Sequence, residues 1–177
     1  ERDANWWSLR AQSLQCNELE KGYFNSGVLL INTLAWAQES VSAKAMSMLA
    51  DKAIVSRLTY MDQDILNLIL LGKVKFIDAK YNTQFSLNYE LKKSFVCPIN
   101  DETVLIHYVG PTKPWHYWAG YPSAQPFIKA KEASPWKNEP LMRPVNSNYA
   151  RYCAKHNFKQ NKPINGIMNY IYYFYLK

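Results

Sequence analysis

The sequence predicts an α/β fold, and three observations lead there. Four branched aliphatics, VLLI at 28–31, follow a small-residue turn, helical spacing of apolar residues fills the segments on either side, and two further apolar runs read as short strands. Strands that alternate with helices bury a sheet between helical layers. At 177 residues and 48% hydrophobic, the chain is long enough to enclose a core.

The opening residues read as a helix through about Lys21, with Trp6, Leu9 and Leu14 spaced to share a face, and Gly22 ends it. YFNSGVLLIN at 23–32 then has the pattern of a central strand buried on both faces. Asn32 and Thr33 can cap the next element, and LAWAQESVSAKAMSMLADKAIVSRL at 34–58 has the content and spacing of one helix or two short ones. TYMDQDILNLILLGKV at 59–74 is a further helical stretch. It begins in acids, which the positive end of a helix dipole favours, and stops at Gly72.

KVKFID at 73–78 alternates like a strand, and ETVLIHYVG at 102–110 is a strand running into a loop at Gly110 and Pro111. From Lys113 prolines recur at 114, 122, 126, 135, 140 and 144, so regular structure is expected to be sparse until about Asn148. A basic helical tail comes after it.

The first residue is Glu1, and the opening has neither a basic n-region nor an apolar h-region, so a piece of a longer protein is the simpler reading. No apolar run reaches the roughly 18 to 20 residues that a membrane-crossing helix requires. Cys16, Cys97 and Cys153 are widely spaced without a CxxC pair, and they read as free thiols in a reducing cytoplasm. The net charge of +7 is concentrated in the second half, and beyond Glu139 there is no acid at all. Arg143, Arg151, Lys155, Lys159, Lys162 and Lys177 stand there among aromatics, a composition suited to an anionic surface.

Asp62, Gln63 and Asp64 form the densest polar cluster, at a junction into a helix. They either cap that helix or orient a polyol, the carboxylates accepting from its hydroxyls while Gln63 offers an amide to a reacting sugar. His107 ends the apolar run VLIH and is followed by Gly110 and Lys113. It is either a satisfied strand histidine or part of a pyrophosphate and metal corner. In the second case the imidazole ligates a divalent ion, the glycine allows close backbone approach, and the lysine is a point charge for phosphate. Asn25, Ser26 and Gly27 are a turn before the strand or, since ligands bind at strand ends in open α/β sheets, a place for a substrate hydroxyl.

FNSGVLLIN, DQDILN and HYVGPTKPW, in that order and at these separations, resemble the family 8 glycosyltransferases, including the bacterial lipopolysaccharide glucosyl- and galactosyltransferases. The resemblance implies the C-terminal part of a GT-A fold, a mixed sheet with flanking helices. Residues 1–118 would be a portion of the catalytic domain and 119–177 a Pro-rich, basic extension. It implies retaining transfer of glucose or galactose from a UDP-sugar to the lipopolysaccharide core with Mn2+ or Mg2+, at the inner face of the bacterial inner membrane.

By the same resemblance His107 is the metal ligand outside the family's DxD motif, and Gly110 and Lys113 contact the UDP phosphates. Asn25 and Ser26 face substrate. Asp62 and Gln63 line the donor sugar, with Asp64 beside them as a further charge. The DxD motif itself lies upstream of the NSG strand in the family and is missing here, since DQD at 62–64 aligns with the later motif. The metal site would then be incomplete and the chain inactive alone. Retention through a covalent intermediate or by front-face attack stays open.

The tail is either a solvated basic helix or an interfacial one at an anionic membrane surface. Basic charge among Tyr and Phe also describes a single-strand nucleic-acid groove, but the excess is confined to the tail, so no nucleic-acid partner is expected. No GxGxxG follows a predicted strand, which disfavours a dinucleotide enzyme. A scaffold without catalysis is the remaining alternative.

Overall fold

The computed structural model describes residues 4–177. It separates into two compact units, one running to Asp78 and the other covering Ala79–Lys177.

The first unit is helical. Helix α1 spans Ala4–Leu14, followed by a 3-10 turn at Asn17–Lys21. Ala11, Leu14, Leu19 and Tyr23 form its core, with Trp6, Trp7, Leu58 and Leu68 packed against them. Leu9, expected to share the face of Trp6 and Leu14, is 56% exposed, and Arg10 is turned inward in its place. The buried carboxylate of Asp64 pairs with that arginine at 2.6 Å, and the ion pair sets the helix rotation.

Residues 34–58 form three short helices: α2 at Thr33–Gln38, α3 at Val41–Ala50 and α4 at Lys52–Val55. Asn32 caps α2 through the Ala35 amide at 3.1 Å, and Asp51 caps α4 through the Ala53 amide at 2.8 Å. Helix α5, Met61–Ile69, begins in Asp62 and Asp64 as expected, and Gly72 lies beyond it in the left-handed region with φ 71°.

Two expected strands do not form. Residues 23–32 and 73–78 carry no strand pairing among the described residues, and Leu30 is 97% exposed. An aliphatic run becomes a central strand only when strands stand on both sides of it, and none does among the described residues.

The second unit carries the sheet. β1, Thr83–Phe85, pairs with β2, Ile106–Tyr108, in parallel, with Gln84 opposite His107. The sheet is a parallel pair where a mixed sheet was expected. Phe85, Leu87, Ala119, Tyr121 and Ala124 form the core beneath it.

The Pro-rich segment holds a helix after all. α6, Gln125–Glu132, follows a 3-10 turn at Pro122–Ala124. Both prolines sit in the first turn of their helices, where the missing N–H has no partner to lose. α7, Ser147–Lys159, and α8, Pro163–Tyr175, complete the chain and pack along one another, with the Phe158 and Tyr170 rings 5.9 Å apart. α7 buries Ala150, Cys153, Ala154, His156 and Asn157, one stripe at helical spacing. Cys16, Cys97 and Cys153 are free thiols.

Candidate functional site

In the first unit, the start of α5 and residues 23–27 come together through side-chain amides. Asn67 pins the chain there much as a neighbouring strand would: its Oδ1 accepts from the Phe24 amide at 2.8 Å and its Nδ2 donates to the Phe24 carbonyl at 2.9 Å. One turn earlier, Gln63 Oε1 accepts from Asn25 Nδ2 at 2.9 Å and from the Ser26 amide at 3.2 Å. Ser26 Oγ donates to Asp62 Oδ2 at 2.8 Å. Asn25, Ser26, Asp62 and Gln63 therefore form one polar edge, on which Asp62 is exposed and Gln63 only 7% exposed.

Asp64 is turned the other way and is fully buried. It accepts from Arg10 Nη2 at 2.6 Å, the Tyr23 hydroxyl at 2.5 Å, and the Thr59 and Tyr60 amides at 2.7 and 2.8 Å. Burial pushes its carboxyl up, and the bonds from Tyr23, the two amides and Arg10 more than reverse this, holding it below the ordinary carboxylate value. Four donors occupy this carboxylate and fix the helix start from inside. Tyr23 is pushed the opposite way, chiefly by burial and then by its bond to Asp64.

In the second unit, His107 sits in the middle of β2, half-buried. Its Nδ1 lies 3.0 Å from Asn82 Oδ1. An amide oxygen only accepts, so the ring proton is on Nδ1 and Nε2 carries the lone pair. Burial, then the charge of Lys113, lowers the imidazole's affinity for a second proton. Gly110 follows β2 with φ 83°, and a Cβ there would meet Ser86 Oγ at 2.8 Å, so no side chain fits in that turn. Lys113 Nζ donates to the Tyr108 carbonyl at 2.6 Å, which uses one of its three N–H groups. Burial lowers the affinity of Lys113 for its proton.

The same loop is anchored from α7. Thr112 Oγ1 and Asn88 Oδ1 both lie 3.1 Å from His156 Nε2, and the Tyr121 hydroxyl lies 2.7 Å from Nδ1. His116 Nδ1 accepts from the Lys113 amide at 3.1 Å. Burial of both rings pushes His116 and His156 down to about 4.

As a set of metal donors this is one imidazole. Among the described residues no three His, Cys, Asp or Glu side chains gather to hold an ion. His107 fits a divalent ion in tautomer and second-sphere support, as one ligand of a set that the described residues do not complete.

Residues 1–119 match glycosyl transferase family 8, and residues 121–177 match its C-terminal segment. The chain belongs to glycosyltransferase family 8. It is 54% identical over 175 residues to the lipopolysaccharide glucosyltransferase WaaO of Escherichia coli K12, covering 98% of this chain and 52% of that protein. To the lipopolysaccharide 1,3-galactosyltransferase of Salmonella typhimurium LT2 it is 51% identical over 174 residues, 98% of this chain and 52% of that protein. A lipopolysaccharide 1,2-glucosyltransferase of Escherichia coli is 40% identical over 167 residues, 92% of this chain and 49% of its own length. The chain thus spans about half the length of these relatives. No solved structure matches it.

Sequence reasoning missed Arg10, Tyr23, Asn67, Asn82 and His156. Only Asn67 left a trace, as a polar break one helical turn after Gln63 in an apolar run.

Proposed function

We propose that this chain is the C-terminal part of a retaining GT-A glycosyltransferase that moves a hexose, glucose or galactose, from a UDP-sugar to the lipopolysaccharide core. The observation that carries the reading is the polar edge of Asn25, Ser26, Asp62 and Gln63 in a family 8 chain whose relatives are named as lipopolysaccharide hexosyltransferases. The family match favours it over a nucleic-acid-binding or scaffold module.

In this reading Gln63 Oε1 and the Asp62 carboxylate lie beside the anomeric carbon and stabilise the positive charge that develops as the sugar–phosphate bond breaks. Asn25 and Ser26 hold a sugar hydroxyl. Lys113, with two N–H groups left, donates to a phosphate oxygen, and Gly110 lets the diphosphate approach the backbone. His107 Nε2 is a ligand for Mn2+ or Mg2+, and when bound that ion compensates the charge of the UDP leaving group. A leaving phosphate that accepts the acceptor's proton removes the need for a histidine base.

UDP release by the full-length protein is expected to require the divalent ion and to be lost in His107→Ala. Lys113→Ala is expected to weaken UDP binding without changing the fold. Turnover without metal, or indifference to both substitutions, defeats the phosphate corner.

We also propose peripheral contact with the anionic cytoplasmic face of the bacterial inner membrane, where a lipid-linked acceptor stands. Lys155, Lys159 and Lys162 are exposed around α7, while α8 exposes Ile164, Ile167, Met168, Ile171 and Phe174 at helical spacing. Among the described residues no helix is long and apolar enough to cross a membrane. Each basic residue near such a surface contributes about 1 kcal/mol. Full-length protein is expected to float with vesicles containing anionic phospholipid and to stay behind with purely zwitterionic ones. Changing the three lysines to Glu should abolish flotation, and equal flotation by wild type and variant would rule out the electrostatic part.

A further inference from the structure

Tyr23 stands behind Gln63, and the direction of its hydroxyl proton decides how the Gln63 amide is turned. A phenol has one proton to give. Tyr23 Oη lies 2.5 Å from Asp64 Oδ1, and a carboxylate only accepts, so the proton lies on that bond. Arg10 Nη2 at 2.6 Å and the amides of Thr59 and Tyr60 keep Asp64 ionised and fixed. The phenol oxygen is left as an acceptor, and Gln63 Nε2 donates to it at 3.0 Å.

The polarity of the chain of bonds is thereby set from the buried ion pair outward. Turning the Gln63 amide over would bring its carbonyl oxygen against the lone pairs of Tyr23. It would also bring its NH2 against Asn25 Nδ2 and the Ser26 amide, so three hydrogen bonds would be lost and their groups would face like partners. We infer that Tyr23 is a positioning residue: it clamps the Gln63 amide with Nε2 inward and Oε1 toward the edge formed by Asn25, Ser26 and Asp62. The inference rests on the proposal that Gln63 lines the donor sugar, and it adds which atom of the amide is presented and what presents it. An amide oxygen beside a developing cation stabilises it, whereas an amide nitrogen opposes it.

The test uses the full-length protein with UDP-glucose and UDP-galactose as donors, in Tyr23→Phe, Gln63→Ala and the double variant. Phenylalanine keeps the ring against Trp6 and Trp7, whose centroids lie 5.4 and 6.2 Å away, so the packing survives. Tyr23→Phe is expected to lower kcat by roughly ten- to a hundredfold, the scale for misplaced reacting groups, with KM for the donor unchanged. In the Gln63→Ala background the same change should cost nothing further, because Tyr23 acts through Gln63.

An equal loss in both backgrounds, or no loss in the Gln63 protein, overturns the inference. Gln63→Ala with wild-type kcat and KM defeats the donor-site reading instead. In that case the Gln63 side-chain amide resonance judges the clamp by itself: displacement in Tyr23→Phe upholds it, and an unmoved resonance overturns it.

Discussion

Asp64→Asn is expected to lower the stability of the first unit by roughly 3 to 5 kcal/mol, the scale for removing one partner of a buried ion pair. The change takes away a charge that four donors surround and leaves the guanidinium of Arg10, itself 7% exposed, without its counter-ion. The new NH2 group would also point at a donor whichever way the amide turned. The loss corresponds to a fall in melting temperature of more than about 10 °C for a unit of this size.

Asp62→Asn is the control, since Asp62 is exposed and accepts from the Ser26 hydroxyl, and it should stay within about 0.5 kcal/mol. Thermal melting of the two variants beside the wild type measures the difference. The Asp64 carboxyl is held below its ordinary value, so its contribution is present above the usual carboxylate range and is lost as pH falls through the folded value. If Asp64→Asn melted with the wild type, the pair with Arg10 would not be what holds α1 to α5.

DQD spells two carboxylates alike, and the helix separates them. Residues two apart on an α-helix point about 200° apart, so Asp62 and Asp64 cannot serve the same surface. The motif made both legible as candidates, but which one faces outward depended on Tyr23 and Arg10, 41 and 54 residues upstream and without any mark of their own. Asn25, Ser26 and Gln63 were legible as candidates because each stands in a short polar motif beside an apolar run, although the bonds that join the two motifs span 36 to 38 residues. In the second unit His107, Gly110 and Lys113 could be read from one loop, whereas His156, which anchors that loop through Thr112, lies 44 residues on.

The fold was legible where a local signal decides it. α5 was visible in its acidic first turn and its glycine stop, and β2 in its apolar run. Residues 28–31 were misread because strand pairing is a property of neighbours, and the sequence shows the aliphatics without the partners. α6 is hidden by its prolines: Pro122 and Pro126 punctuate the sequence as breakers do, yet both stand in a first turn, where the fixed φ of proline suits a helix start. Arg10 carries no mark on α1, because a charged side chain is expected outside and only the buried acid of Asp64 reverses this.

Acid is expected to loosen the second unit through His116 and His156, beginning as pH falls below the ordinary histidine range. Both rings are buried as neutral groups with values pushed down to about 4, while an unfolded histidine takes its proton near 6.5. Between those values the unfolded chain binds protons that the folded one refuses, so stability falls as pH falls from about 6.5 to about 4. Each histidine contributes a slope of up to about 1.4 kcal/mol per pH unit, and the pair up to about 3 kcal/mol per unit.

His156→Ala separates the two. At neutral pH it leaves Thr112, Tyr121 and Asn88 without the ring, at roughly 1 to 3 kcal/mol for each polar group stranded. The Gly110–Lys113 loop should loosen with it, because Thr112 is its buried anchor. In acid the variant should lose stability only about half as steeply as the wild type, His116 alone remaining. Urea unfolding at pH 7.5, 6 and 5, followed by the fluorescence of Trp118 against the His116 ring 4.2 Å away, reads both quantities. Parallel slopes for the two proteins would mean that His156 takes its proton without unfolding the unit, and that the loop is held by something other than a neutral buried imidazole.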